Sequence, residues 1–384
     1  MRIGIDASNL RAGGGVTHLV ELLRAADPRA HGFEQVTVWA GSGTLSRIED
    51  RDWLIKVSDP LLNRLLPYRV YWQRFRLKGL AALAGCDVLL VPGGSDASGF
   101  KPLVTMSRNL LPFEWREMRR YGFSWSFIRI ALLHLIQKRT FRKAEGLIFL
   151  TQYARDTVMA SVGRSDAKMA VISHGIDGRF YLAPRTQRGM HEFTDAEPCR
   201  LLYVSSVDAY KHQWHVAQAA AQLRAAGVPV VLDLVGPAYS PAIGRLHETL
   251  QRIDLDARFI RYLGEIPYGK LHELYAAADI DVFASSCENM PNILLEGMAS
   301  GLPIACSNRG PMPEVLGDAG VYFDPERPDD IVAAILRLIE SPELRGTKAQ
   351  AAYERARQFS WPRCAAETFA FIVDSAVSHK NKTR

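Results

Sequence analysis

The chain is predicted to be α/β, built from parallel sheets covered by helices and divided into two domains. Three observations carry this. Short apolar runs of strand length alternate with helical patterns over most of the 384 residues, which is the order that parallel strands with helical crossovers require. A chain of that length fits two ordinary domains better than one. The alternation also stops and restarts, because residues 181–200 have little periodicity and are rich in Pro, Thr, Arg and Glu, so they read as a linker.

In order along the chain, strands are expected at 2–6, 35–40, 88–91, 103–106, 147–150 and 169–172, each a short apolar or β-branched run flanked by polar or turn residues. A second series is expected at 201–205, 230–235, 259–262, 281–284, 303–306 and 321–323. The first domain therefore covers 1–180, the linker 181–200 and the second domain 201–360. A last helix is expected over 361–378, where Ala365, Phe369, Ile372, Val373 and Ala376 recur at helical spacing and Ser360-Trp361-Pro362 supplies a start signal.

Composition narrows the function classes. Hydrophobic residues at 48% and charged residues at 23% allow sizeable cores and argue against disorder. No apolar run is long enough for a spanning helix, and residues 1–6 read as a strand and not as a signal peptide, so a cytoplasmic location is expected. The five cysteines are far apart, without the close pairs of a zinc site or the dense spacing of a disulfide scaffold, and read as reduced thiols. Net charge is +6, but residues 60–145 hold fifteen Lys or Arg against five acids, so that region alone carries +10 and the remainder −4. Such asymmetry points to an anionic partner.

Three stretches offer chemistry. The first strand runs into Ser8-Asn9-Leu10-Arg11-Ala12-Gly13-Gly14-Gly15 and then a helical pattern over 16–26. Strand, glycine turn and helix N-terminus together present backbone N–H groups to an anion, although the spacing is neither that of a dinucleotide fingerprint nor that of a P-loop, and a plain tight turn explains it equally well. The second half opens with a strand ending in Ser205-Ser206, followed by Lys211 entering a helix, where a cation could neutralise a diphosphate or simply be solvated. The most specific stretch is Glu288-Asn289-Met290-Pro291-Asn292-Ile293-Leu294-Leu295-Glu296, between an apolar strand and a helix with Pro291 suited to its first turn. Ionised carboxylates accept from the hydroxyls of a diol, so Glu288 and Glu296 could bind a sugar and a ribose. Otherwise Glu288 is a capping acid and Glu296 a surface acid.

With Gly297-Met298-Ala299-Ser300-Gly301-Leu302-Pro303 after it, this stretch resembles the donor-site signature of the family 4 (group 1) glycosyltransferases, retaining enzymes of the GT-B fold. That resemblance implies two Rossmann-like doubly wound domains facing across a cleft, with the final helix returning to the first. It is supported by the glycine loop, by Ser173-His174-Gly175-Ile176-Asp177 and by Lys211 at the family's phosphate-binding lysine. By resemblance, Glu296 would hold the ribose of a nucleotide sugar, Glu288 the sugar hydroxyls and Lys211 the diphosphate. The backbone amides of Asn289, Met290 and Asn292 would line the sugar pocket, and Gly14 and Gly15 would face the diphosphate. Two positions depart from the family: Ser205-Ser206 stand where many members have Gly-Arg, and Arg108-Asn109 where many have His-Asp. Arg108 would then supply positive charge near the reacting sugar.

The function implied is transfer of a sugar from a nucleotide sugar to an acceptor hydroxyl with retention, in assembly of a cell-surface polysaccharide or lipid-linked glycan, with no metal and no cofactor beyond the co-substrate. The alternatives are a nucleotide-sugar epimerase and a non-catalytic sugar-nucleotide-binding subunit. Asp50-Arg51-Asp52, Asp254-Leu255-Asp256 and Asp279-Ile280-Asp281 have the D-x-D form of metal ligands but lie at element boundaries and read as chance. The basic excess centres on residues 112–143, where Trp125, Ile128, Leu132, Leu135 and Ile136 share a helical face flanked by Arg129, Lys138, Arg139, Arg142 and Lys143. This suits peripheral attachment to an anionic membrane at the inner face, or else a core-packed helix with a solvated basic side. No nucleic-acid-binding module accompanies the charge.

Overall fold

A computed structural model describes residues 1–383, the side chains at 240, 241 and 383 left aside. The chain divides into two compact units, one of residues 1–118, 123–175 and everything from Ser360 onward, the other of residues 119–122 and 176–359.

The first unit is a seven-stranded parallel sheet of β1 (Arg2–Asp6), β2 (Gln35–Trp39), β3 (Leu54–Val57), β4 (Val88–Val91), β5 (Leu103–Met106), β6 (Gly146–Phe149) and β7 (Lys168–Val171), in the order β3-β2-β1-β4-β5-β6-β7. The central strands are buried on both faces, with Ile3, Ile5, Val36, Leu89, Val104 and Ile148 inaccessible, as helices covering both sides of a parallel sheet demand. Strand order turns back between β1 and β4, which are neighbours although β2 and β3 intervene in sequence. The helices that matter below are α1 (Gly14–Ala25), α2 (Leu66–Phe75) and α3 (Trp125–Lys143).

The second unit is a six-stranded parallel sheet of β8 (Cys199–Val204), β9 (Val230–Val235), β10 (Ile260–Gly264), β11 (Ile280–Phe283), β12 (Ile304–Ser307) and β13 (Gly320–Phe323), ordered β10-β9-β8-β11-β12-β13. It has the same reversal, here between β8 and β11. Ligands of open α/β sheets sit outside the carboxyl ends of the strands at such reversals. In this unit α4 (Gln213–Ala225) follows β8 and α5 (Asn292–Ala299) follows β11.

The last helix, α6 (Trp361–Thr383), packs on α1 in the first unit, with Phe369 edge-on to Phe33 at 5.9 Å between ring centroids and Lys380 bonded to Asp87 at 2.8 Å. Its start lies so close to Gly175 that a Cβ there would be 2.2 Å from the Trp361 nitrogen, so only glycine fits. Residues 181–200, read as a linker, belong to the second unit: Tyr181 Oη donates to Ala356 O at 3.1 Å, and Arg185 and Arg188 pair with Asp279. β3 was not foreseen. Among the described residues no helix is long and apolar enough to cross a membrane.

Candidate functional site

In the second unit, the loops after β8 and β11 are stitched together across the strand-order reversal. The chain enters α4 through His212, whose φ of 54° lies in the left-handed region; such a conformation costs a non-glycine residue about 1–3 kcal/mol and needs support from its surroundings. That support is local. His212 Nε2 lies 2.9 Å from Ser286 Oγ, and Ser286 N donates to Tyr210 O at 2.9 Å. Lys211, one residue before, is thereby fixed with its side chain only 6% exposed. Tyr203 Oη donates to the Lys211 carbonyl at 2.7 Å, and Lys211 Nζ forms an ion pair with Glu288 Oε1. Ser205 is buried, its nitrogen donating to Val235 O at 2.7 Å and its hydroxyl to Ser206 O at 3.2 Å.

The stretch that carries the two glutamates descends from β11 into α5. Asn289 and Met290 are buried, Pro291 is the N-cap residue, just outside the helix and not in its first turn, and Asn292 opens the helix. Glu296, weighed above as a surface acid, is 5% exposed. It accepts from the Tyr268 side chain, while its Oε2 is buried with no hydrogen-bond partner, and burial pushes its pKa up to about 8. Beneath α5 lies a second buried acid, Asp281, also raised by burial to about 8. A Cβ on Gly297 would be 2.1 Å from Asp281 Oδ2, which explains the glycine directly after Glu296. Lys211, Glu288 and the Glu296 helix thus flank one reversal point, a cation and acceptor oxygens at the carboxyl ends of β8 and β11.

In the first unit, Gly13 is the N-cap of α1 with φ 68°, and Gly14 and Gly15 form the helix's first turn. Arg108, following β5, is turned onto this turn: Nη2 donates to Gly14 O at 2.6 Å and Nη1 to Gly15 O at 3.0 Å. Burial lowers its pKa to about 10. The guanidinium expected beside a reacting sugar thus gives one N–H of each terminal nitrogen to the glycine turn. Asn109 is exposed, its Oδ1 accepting from Leu111 N at 3.1 Å, a local turn bond. Next to Arg108, His18 Nδ1 and His174 Nδ1 lie 2.7 Å apart, both rings buried against Trp361. Burial, with the Arg108 charge, holds both imidazoles well below their usual pKa, so one neutral ring donates to the other.

Sequence reasoning missed His18 and Tyr268, and saw Asp281 only as part of a chance D-x-D. His18 carried a signal, since it sits within the apolar face of α1 among Val16, Leu19 and Leu22. Among the described residues no group of three His, Cys, Asp or Glu side chains is placed to hold a metal ion.

A family model described as glycosyltransferase family 4 matches residues 12–179, and one described as glycosyl transferases group 1 matches residues 191–357. The O-antigen chain mannosyltransferase B of Escherichia coli is 41% identical over 110 residues, 29% of this chain and 29% of that protein. A glycogen synthase of Mycobacterium tuberculosis is 26% identical over 244 residues, 62% of this chain and 56% of the relative, so the chain spans less than two thirds of either relative's length. Among solved structures, the HepE protein of Anabaena in complex with UDP and glucose superposes with a TM-score of 0.69 at 20% identity, over 99% of this chain and 100% of that one. Two parallel-sheet, Rossmann-like units, matched in turn by the models of the family's two halves, make the chain a member of the family 4, group 1 glycosyltransferases with the GT-B fold.

Proposed function

We propose that the second unit binds a nucleotide sugar and that the protein transfers its sugar, with retention of anomeric configuration, to an acceptor hydroxyl on a glycan or lipid-linked glycan. The observation that carries this is Glu296, a buried carboxylate with an unpartnered oxygen at a strand-order reversal, one helix away from a buried lysine. An orphaned buried acceptor is costly unless a ligand supplies donors, and the two hydroxyls of a ribose supply them. In this reading Lys211 exchanges Glu288 for the leaving diphosphate, whose growing charge it stabilises, and Glu288 turns to the sugar hydroxyls. The amides of Asn289, Met290 and Asn292 line the sugar, and Ser205 and Ser206 offer hydroxyls where many relatives carry Arg. Gly14 and Gly15, held by Arg108, present the amides of the first turn of α1 to an anion. Catalysis rests on preorganised charge and positioning and calls for no metal or further cofactor.

The polysaccharide or lipid-linked setting draws on the mannosyltransferase that the chain resembles and on the amphipathic surface of α3, which suits the cytoplasmic face of an anionic membrane. The test is product analysis on a panel of nucleotide sugars. The reading expects free nucleoside diphosphate, and a transferred sugar with the donor's anomeric configuration. Lys211→Ala should lower turnover by about 100-fold or more while weakening donor binding far less. An isomerised donor would identify an epimerase, and bound but unchanged donor a binding subunit; either outcome overturns the reading.

A further inference from the structure

The first unit has its own strand-order reversal, and a cavity of about 680 Å³ opens there. Its floor is made by residues that follow β1 (Ser8, Asn9) and β4 (Gly93, Ser95), and its walls by α2 and α3. None of the residues assigned above to the donor lines it.

Four cations rim the cavity: Arg69 and Arg74 from α2, Arg139 and Lys143 from α3. Among the described residues none of them is in an ion pair with a carboxylate; Arg69 Nη1 donates only to neutral acceptors of the floor, Ser8 O at 3.3 Å and Asn9 Oδ1 at 3.1 Å. Two acids also line the space, and both are occupied. Asp6 accepts from Ser8 N at 3.0 Å and from the Gln73 amide, and Asp96 accepts from Ser98 N at 3.0 Å and Ser98 Oγ at 2.6 Å. Two buried polar atoms in the lining, Arg69 Nε and Ser95 Oγ, have no hydrogen-bond partner. The site is therefore short of an anion and of an acceptor.

The same walls are apolar toward the outside. Leu66, Val70 and Ile136 both line the cavity and stand exposed at 41–49%, and exposed apolar residues continue along the same face of α3 through Leu132 and Leu135. Exposed apolar residues gathered on one helical face, as Ile136, Leu132 and Leu135 are, mark a partner surface. Here it starts at the cavity mouth, so charge and hydrocarbon contacts are arranged in sequence along one path.

We propose that this cavity binds the phosphorylated head of a single-tailed lipid, the head among Arg69, Arg74, Arg139 and Lys143 and the hydrocarbon along the exposed faces of α2 and α3. The lipid is the carrier of the acceptor glycan. That last statement rests on the glycosyl-transfer reading, but the binding itself does not. The head group meets planar guanidinium donors and an unfilled hydroxyl, and the tail leaves by the apolar track toward a bilayer surface.

Farnesyl diphosphate, inorganic diphosphate and farnesol, each titrated calorimetrically into the intact protein, separate charge from tail. Farnesyl diphosphate should bind at least about tenfold more tightly than either of the others. Lys211→Ala, which disables the donor site, should leave that affinity within about twofold, whereas Arg69→Ser with Arg139→Ser should weaken it at least about tenfold. Arg139→Ser alone changes an exposed residue that the fold does not need, and should still weaken binding about threefold. Equal binding of farnesyl and inorganic diphosphate, loss of binding in Lys211→Ala, or indifference to Arg139→Ser would each overturn the proposal. If the donor reading fails, nucleoside diphosphates do not bind wild-type protein, and the lipid comparison stands unaffected.

Discussion

Glu296 and Asp281 show how burial converts an ordinary acid into a reporter of its environment. Each has a folded-state pKa of about 8 against ordinary values of 4.5 and 3.8, because the low-dielectric interior disfavours the charged form. The folded protein thus keeps protons that the unfolded chain has already lost, and stability falls as pH rises through this interval until the folded groups ionise near pH 8. His18 and His174 act in the opposite direction. Their folded pKa values are depressed, so they cost stability only below the unfolded value of 6.5, where the unfolded chain takes up protons that the folded pair refuses. Between pH 6.5 and 8 the two acids lower stability as pH rises, each by at most roughly 1.4 kcal/mol per pH unit. Urea midpoints across this window should decline, and Asp281→Asn should flatten the decline. An unchanged slope in Asp281→Asn would show that Asp281 is ionised in the folded protein.

At the scale of elements, twelve of the thirteen strands among the described residues were legible because each is a largely apolar run of four to six residues bounded by polar or turn residues. β3 was not: Leu54–Val57 sits at the sheet edge, Ile55 is 43% exposed and Lys56 interrupts the pattern, so no burial signal marks it. The destination of Arg108 was equally invisible, since its partners Gly14 and Gly15 are more than ninety residues away. α3 held the most ambiguous pattern. Two apolar faces compete in its sequence, and the structure buries Ile130 and Phe141 while leaving Trp125 76% exposed and Leu132 and Leu135 over half exposed. α2 adds a second exposed apolar face that the sequence reading passed over. By contrast, Arg120 pairs with Glu326 at 2.9 Å and is not free for lipid. If α3 rests on an anionic membrane, cosedimentation with vesicles should rise with anionic lipid and fall with salt, each nearby cation contributing about 1 kcal/mol. Trp125→Ser with Leu132→Ser should reduce it several-fold; equal binding to neutral and anionic vesicles would argue against the membrane role.

For the whole molecule, the two units repeat one rule. Each is an open parallel sheet whose strand order reverses once, and each reversal gathers charge and unsatisfied polar atoms: Lys211, Glu288 and Glu296 in one, Arg69, Arg139 and Ser95 in the other. The stretch from Glu288 to Glu296 was readable from sequence because its motif lies within nine consecutive residues. The lipid cavity was not, because its cations come from helices about seventy residues apart.

Calorimetric titration of the intact protein with UDP, GDP and ADP, repeated on Glu296→Gln, tests the central claim most directly. A ribose diol donating to Glu296 favours its ionised form, so binding of the preferred nucleotide near pH 7.5 should release protons, visible as a dependence of the heat on the buffer's ionisation enthalpy. Glu296→Gln should abolish that release and weaken binding by about tenfold or more, the loss of a charge-assisted hydrogen bond. Binding of equal strength and equal proton release in wild type and Glu296→Gln, or binding of no nucleotide at all, would contradict the assignment of the second unit as the donor site.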